Sequence, residues 1–306
     1  MRKLEIDNLI SNPINNSNFC PENYKDKISR KYIRVINDIN DEYEIVIMAA
    51  GKGTRMNLSY PKPLYPINYP NGKKPILMNL LETIKISVAN ISSIKIVINE
   101  IDRDFFKEFE KNDELIQLIA LKKSQIKGTA KCLQAIQDKL NSKKNIMLFW
   151  GDLGLIPASF ILVSSIIHQK FSPLITMPTR FKKNPYVGLL RDKNGIFNRI
   201  FHSKESEQYY GFAEQDCLFF ILNKDIFPLL NNYLQIDGVK NKKEVDFINL
   251  IPWLSQKNTV LGLPISNGEN VNGINNVDKA NLVESYLHNF SKEEYKNNFF
   301  NLRRLW

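Results

Sequence analysis

Glu44-Ile45-Val46-Ile47-Met48-Ala49-Ala50-Gly51-Lys52-Gly53-Thr54-Arg55-Met56 opens as an apolar, largely β-branched run and ends in a glycine-rich, cationic turn. A run without polar alternation suits a strand covered on both faces, the condition of a strand inside a parallel sheet. The glycines mark where the strand must stop and a loop must begin.

Working outward, apolar runs of strand and helix length alternate. The spacing predicts a helix over 75–88, a strand over 93–99, a helix over 103–112, a strand over 116–121 and a helix over 129–140. A strand over 145–150, a helix over 158–169 and a strand over 173–177 follow. This βαβα succession implies a doubly wound, mostly parallel α/β sheet, with ligands at the carboxyl ends of its strands. Beyond it, 186–191, 196–202 and 217–222 read as antiparallel strands of a lid section, and 225–234 as a helix. Three units are expected: an Asn-rich appended segment, 1–42, with a short helix over 25–38; a catalytic domain, 43–276; and a terminal helix and tail, 277–306.

The composition removes several classes of function. No apolar stretch approaches the roughly 20 residues of a membrane-spanning helix, and the N-terminus lacks a signal-peptide core, so a cytoplasmic protein without a membrane partner is expected. Cys20, Cys132 and Cys217 are too scattered for a disulfide framework or a Cys-ligated zinc. The net charge of +10 attracts polyanions, but the lysines are spread along the chain rather than gathered on a module, so a nucleic-acid partner is not expected. His168, His202 and His288 have no metal-site spacing, and no hydrolase motif is present.

The turn after the first strand carries the sharpest chemical signal. Gly51 and Gly53 let backbone N–H groups approach phosphate oxygens, while Lys52 and Arg55 supply charge-assisted bonds. The spacing fits neither the G-x-x-x-x-G-K-[ST] phosphate loop nor the dinucleotide G-x-G-x-x-G. A glycine turn with solvated cations would account for the loop alone, but not for Pro61-Lys62-Pro63-Leu64 close behind it. Two further strand ends carry polar residues: Gln125-Ile-Lys-Gly128-Thr129-Ala130, and Trp150-Gly151-Asp152, whose carboxylate suits a hard cation.

Ala49-Ala50-Gly51-Lys52-Gly53-Thr54-Arg55-Met56 followed by Pro61-Lys62-Pro63-Leu64 resembles the signature of the sugar-phosphate nucleotidyltransferase family. The nearest variety is the uridylyltransferase domain of bacterial N-acetylglucosamine-1-phosphate enzymes, and ordered pieces of the resemblance extend from about 43 to about 284. It implies a Rossmann-like fold in which Gly51, Lys52, Gly53, Thr54 and Arg55 wrap the nucleotide phosphates and Lys62 neutralises them during transfer. The backbone of Ala49 and Ala50, with Gln125, Gly128 and Thr129, would meet the base. Asp152 would bind Mg²⁺, with Asn275 of Val271-Asn272-Gly273-Ile274-Asn275 as second ligand and Asp278 as a spare candidate.

The acceptor wall departs most from the family. Trp150 replaces the small or tyrosyl residue often found there, Gly188 would give room to a sugar ring, and Lys204, Glu214 and Asp216 are the remaining acceptor candidates. Asp216 stands where the family has asparagine, which weakens an N-acetylhexosamine assignment. The activity implied is Mg²⁺-dependent transfer of a nucleotidyl group, from UTP first, to a hexose or N-acetylhexosamine 1-phosphate with release of pyrophosphate. CTP-dependent transfer to a phosphorylated alcohol, amino acid or unusual sugar is the alternative. An inactive nucleotide-binding regulator is a third reading, against which Arg55, Lys62 and Asp152 stand intact.

Overall fold

The computed structural model describes residues 41–51, 53–202, 211–266 and 271–300. The helix expected over 25–38 lies outside them. β1 (Tyr43–Met48) is followed by a hairpin of β2 (Pro66–Tyr69) and β3 (Gly72–Pro75), then α1 (Ile76–Ser87), β4 (Ile91–Asn99), α2 (Arg103–Asn112) and β5 (Ile116–Leu121). α3 (Thr129–Ala135), β6 (Asn145–Trp150), the short β7 (Leu153–Leu155), α4 (Ala158–Phe171) and β8 (Ile175–Lys183) complete the first half. The second half holds β9 (Val187–Arg191), β10 (Phe197–His202), β11 (Phe212–Asp216), β12 (Phe219–Leu222), α5 (Ile226–Leu234), α6 (Ile251–Ser255), β13 (Val260–Ser266), β14 (Asn272–Gly273), α7 (Val277–Leu287) and α8 (Lys292–Tyr295).

Ten strands form one sheet in the order β10-β9-β11-β8-β12-β6-β1-β4-β5, with β13 paired to β8. The block β6-β1-β4-β5 is parallel throughout. β1 shows why its sequence carries no polar alternation. Ile45 and Ile47 pack with Leu77, Leu80 and Ile84 of α1 on one face, while Val46 packs with Ala130 and Leu133 of α3 on the other. Both faces are covered, as in a doubly wound fold.

The antiparallel section is continuous with this sheet rather than a separate layer. β12 pairs antiparallel with β6, Phe219 opposite Phe149, and so extends the parallel core directly. β8 then carries β12 and β11 antiparallel and β13 parallel. β13 contains Pro264, which a strand paired on one side tolerates.

Several boundaries differ from the sequence reading. α3 stops at Ala135 and gives way to a 3₁₀ turn at Gln137–Lys139, instead of continuing to 140. β8 runs to Lys183, well past 177. The terminal helix breaks after Leu287 and resumes behind the Ser291 capping box as α8. α7, α8 and the hairpin share a satellite core of Ile67, Tyr69, Ile76, Val283, Leu287 and Tyr295. Tyr295 reaches the main body by donating to Asn79 Oδ1 at 3.1 Å.

Candidate active site

The parallel register sets the site. Met48 at the end of β1 lies opposite both Val97 of β4 and Trp150 of β6, so the chain leaves these strands at one edge of the sheet. Gly151 N donates to Met48 O at 2.9 Å, and a Cβ on Gly151 would come within 3.1 Å of both Met48 O and Ala49 Cβ. Glycine there lets the turn before Asp152 lie flat against the loop after β1.

That loop closes on Lys62. Gly53 has φ +57, and a Cβ would lie 2.9 Å from Lys62 Cβ, so both its conformation and the contact favour glycine. Lys62 begins a 3₁₀ turn at Lys62–Leu64, and its Nζ lies 2.5 Å from Asp152 Oδ2. Behind Asp152, β7 pairs with β14, and Ile274 N donates to Asp152 O at 2.8 Å. This contact draws Asn275 to the same edge.

A third segment is held against the cleft by backbone bonds. Val245 N donates to Lys127 O at 2.9 Å and Ala130 N to Val245 O at 3.0 Å. Gly128, φ +86, lies so close that a Cβ would be 2.4 Å from Val245 O. Asp246 Oδ1 accepts from Thr129 N at 3.1 Å and lies 3.3 Å from Thr129 Oγ1, while Thr129 Oγ1 accepts from Phe247 N at 2.8 Å. Asp246 thus serves the N–H of Thr129 at the start of α3.

These segments enclose a cleft of about 550 Å³. Of the residues singled out by sequence, Ala49, Ala50, Gly51, Gly53, Arg55, Lys62, Gly128, Thr129, Trp150, Asp152 and Asn275 line it. A Cβ on Gly51 would meet nothing within 4 Å, which leaves its backbone open to a ligand. Thr54 belongs to the 3₁₀ turn Thr54–Met56, and Lys52 and Lys204 lie outside the described residues.

Four other candidates point elsewhere. Gln125 is exposed and its Oε1 turns back to accept from Lys122 N at 3.0 Å. Gly188 accommodates protein rather than a sugar, since a Cβ there would lie 2.1 Å from Phe201 Cζ. Glu214 is buried between β9 and β8, paired with Arg191 and accepting from Thr179 Oγ1 at 2.8 Å. Arg191 is itself fixed over the Phe197 ring, 3.8 Å from its centre. Asp216 is buried beneath the turn into β12, where it accepts from Leu218 N at 3.0 Å, and burial raises its pKa above the usual carboxylate range. Asp278 lies in the first turn of α7 and is not part of the lining.

The sequence reading missed Ile126, Cys132, Glu244 and Asp246 in the lining, whereas Tyr186, which also lines it, belongs to the segment 185–189 that resembles the family's sugar-site strand. The alternation Glu244-Val245-Asp246, with Val245 buried and both carboxylates exposed, was the signal available. Burial pushes the Cys132 thiol up to about 11, so it is protonated at neutral pH and is a poor nucleophile.

Residues 44–161 match the family model for nucleotidyl transferases. The bifunctional protein GlmU of Buchnera aphidicola subsp. Schizaphis graminum is 27% identical over 256 residues, covering 80% of this chain and 51% of that protein. The chain spans about half the length of the curated relatives it matches. Among solved structures, a UDP-glucose pyrophosphorylase complexed with UDP-glucose superposes with a TM-score of 0.57 at 15% identity, covering 81% of this chain and 100% of that one. An inositol-1-phosphate CTP transferase from T. maritima gives 0.59 at 15% identity, covering 82% and 98%. At such identities these structures establish the fold. In sequence, the chain is similar to the sugar-phosphate nucleotidyltransferases and, among them, to the uridylyltransferase domain of GlmU.

Proposed function

We propose that this chain, a relative of the sugar-phosphate nucleotidyltransferases, transfers a nucleotidyl group from an NTP, UTP in the first instance, to a sugar 1-phosphate and releases pyrophosphate. The observation that carries the reading is the convergence of three strand ends on one cleft, bringing Arg55, Lys62, Asp152 and the start of α3 together around the open backbone of Gly51.

The chemistry asks little of protein nucleophiles. An oxygen of the acceptor phosphate attacks the α-phosphorus in line, the bond to the β-phosphate oxygen breaks, and pyrophosphate leaves with that electron pair. What the chain must supply is alignment and countercharge. The N–H groups of the glycine loop and the side chain of Arg55 suit the phosphates, and Lys62 suits the charge that grows on the leaving group. Gly128 and Thr129 are the residues that the family resemblance assigns to the base.

Asp152 and Asn275 fit Mg²⁺. Both offer hard oxygen donors to the cleft, and Mg²⁺ takes only one or two side chains when phosphates and waters complete its shell. Bound there, the ion would screen the phosphate charge and polarise the α-phosphoryl group. Among the described residues no group of three His, Cys, Asp or Glu side chains could hold a metal. A site of one carboxylate and one amide calls for no such group.

The test is pyrophosphate release with Mg²⁺, over the four common NTPs and a set of phosphorylated acceptors that includes hexose 1-phosphates and phosphorylated alcohols. Turnover with UTP and a sugar 1-phosphate supports the reading. Turnover with CTP and an alcohol phosphate would replace the donor and acceptor but keep the reaction. No turnover with any pair, in protein whose melting temperature rises with nucleotide, would make the chain a nucleotide-binding protein without transferase activity.

A further inference from the structure

The described lining of the cleft carries more carboxylates than cations. Among its described lining residues, Arg55 and Lys62 supply two cations, whereas Asp152, Glu244 and Asp246 supply three carboxylates. Lys62 and Asp152 engage each other, which leaves Glu244 and Asp246 without a cation at ion-pair distance among the described residues. Their placement is fixed by the fold. Asp246 is extended, Val245 between them is buried, and the segment is tied to Lys127 and Ala130 by backbone bonds, so both carboxylates are held on the exposed side.

Aromatic surface stands beside them. Trp150 lines the same cleft, and its ring packs on Phe220 with centres 5.2 Å apart; Phe220 in turn meets Phe247, the neighbour of Asp246, at 5.2 Å edge to face. Through these rings Trp150 and the carboxylate segment belong to one packed wall of the cleft. Tyr186, just before β9, lines the cleft as well.

Indole and phenol faces attract cations through their quadrupole, and carboxylates attract them by charge. We infer that the acceptor carries a cationic nitrogen, as an amino-sugar 1-phosphate or an amino-alcohol phosphate does, and that Trp150, Tyr186, Glu244 and Asp246 receive it. The inference rests on the reading of this cleft as the substrate site of a nucleotidyltransferase. Such an acceptor is a dipolar ion: its phosphate end belongs with Arg55 and Lys62, and its cationic end with Glu244 and Asp246. Asp246 is partly committed to capping α3 through Oδ1, so Glu244 is the residue whose charge has no structural task of this kind.

The experiment compares matched acceptors with the full chain, Mg²⁺ and the preferred NTP. Glucosamine 1-phosphate is set against N-acetylglucosamine 1-phosphate, and phosphoethanolamine and phosphocholine against glycerol phosphate. The cationic member should be favoured in kcat/KM by about tenfold or more, chiefly through KM, and Glu244→Gln should narrow that ratio. Phosphocholine separates charge from hydrogen bonding, because its nitrogen cannot donate. Binding of the same pairs is measured by calorimetry with an α,β-methylene NTP, so that acceptor preference can be read without turnover. Equal or reversed preference in transfer would overturn the inference and leave the transferase reading standing. A cationic preference in binding without any transfer would do the opposite. An unchanged preference in Glu244→Gln would remove the carboxylate from the explanation and overturn the proposal as stated.

Discussion

Lys62 Nζ lies 2.5 Å from Asp152 Oδ2 and joins the turn after the glycine loop to the end of β6. The two side chains are only 16% and 19% exposed, yet they border the cleft, where an incoming phosphate and its cation would compete for each of them. On the proposed reaction, the contact holds a lysine and a carboxylate where the phosphate charge would be neutralised. Replacing Lys62 by Ala should lower kcat by on the order of 10²-fold, the scale for removing one preorganised electrostatic contact. Arg55→Ala should do the same. Steady-state pyrophosphate release checks both, and an unchanged kcat in both variants would take the loop out of the mechanism.

Gly128 tests how the third wall is built. An alanine there would have to adopt φ +86 and place its Cβ 2.4 Å from the Val245 carbonyl oxygen. Left-handed strain and overpacking together should cost about 2–4 kcal/mol. Gly128→Ala is expected to show a reduced urea midpoint with an unchanged m-value, together with a loss of nucleotide-induced stabilisation. Wild-type stability in this variant would mean that the 244–247 segment yields easily.

How far the sequence disclosed this arrangement depended on range. α2, β5 and β6 fall where their periodicity put them, since each is a complete local pattern ending in a turn. The hairpin at 66–75 was not legible, because Gly72-Lys73-Lys74-Pro75 has neither alternation nor β-branching and is held by its partner strand. The glycine loop, Lys62, Asp152 and Asn275 were legible as motifs. Glu214 was not, for its carboxylate is consumed by Arg191 from a neighbouring strand, a pairing fixed only by the sheet order. Glu244 and Asp246 were overlooked because a three-residue alternation is too short to indicate a strand, and their place in the cleft depends on the bonds of Val245 and Asp246 to residues 127–130.

His168 gives a pH prediction independent of the active site. It is buried in α4, with Nδ1 2.9 Å from Thr176 Oγ1 and Nε2 without a partner among the described residues, and burial pushes its pKa down to about 4. The unfolded chain would bind the proton near pH 6.5, so it takes up more protons than the native state between these values, and stability falls as pH drops from about 6.5 towards 4. The full effect is on the order of 3 kcal/mol. Asp216, whose pKa burial raises, acts in the opposite sense but only from the ordinary carboxylate range upward. Urea midpoints at pH 5.0 and 6.5 should therefore differ in the wild type and differ less in His168→Gln. Equal pH dependence in the two proteins would assign the acid sensitivity to other groups.

The strongest test of the proposed chemistry is the unequal demand it places on Asp152 and Asn275. Asp152 follows β6 after Gly151, inside the ten-stranded sheet where the parallel block meets β12, its position fixed by Gly151 N to Met48 O and by Ile274 N to its own carbonyl. Asn275 follows β14, a two-residue strand that depends on pairing with β7. A carboxylate also binds a hard cation more strongly than an amide oxygen does. Asp152→Asn removes the charge and keeps the shape, so pyrophosphate release should collapse while the melting temperature without ligand changes little, because the amide oxygen can still accept from Lys62 Nζ. Asn275→Ala should leave kcat near that of the wild type at saturating Mg²⁺ and raise the Mg²⁺ concentration needed for half-maximal rate. The measurement is a Mg²⁺ titration of pyrophosphate release for the three proteins. If Asp152→Asn keeps the rate and Mg²⁺ dependence of the wild type, the cation binds elsewhere and Lys62 needs another partner in the reaction.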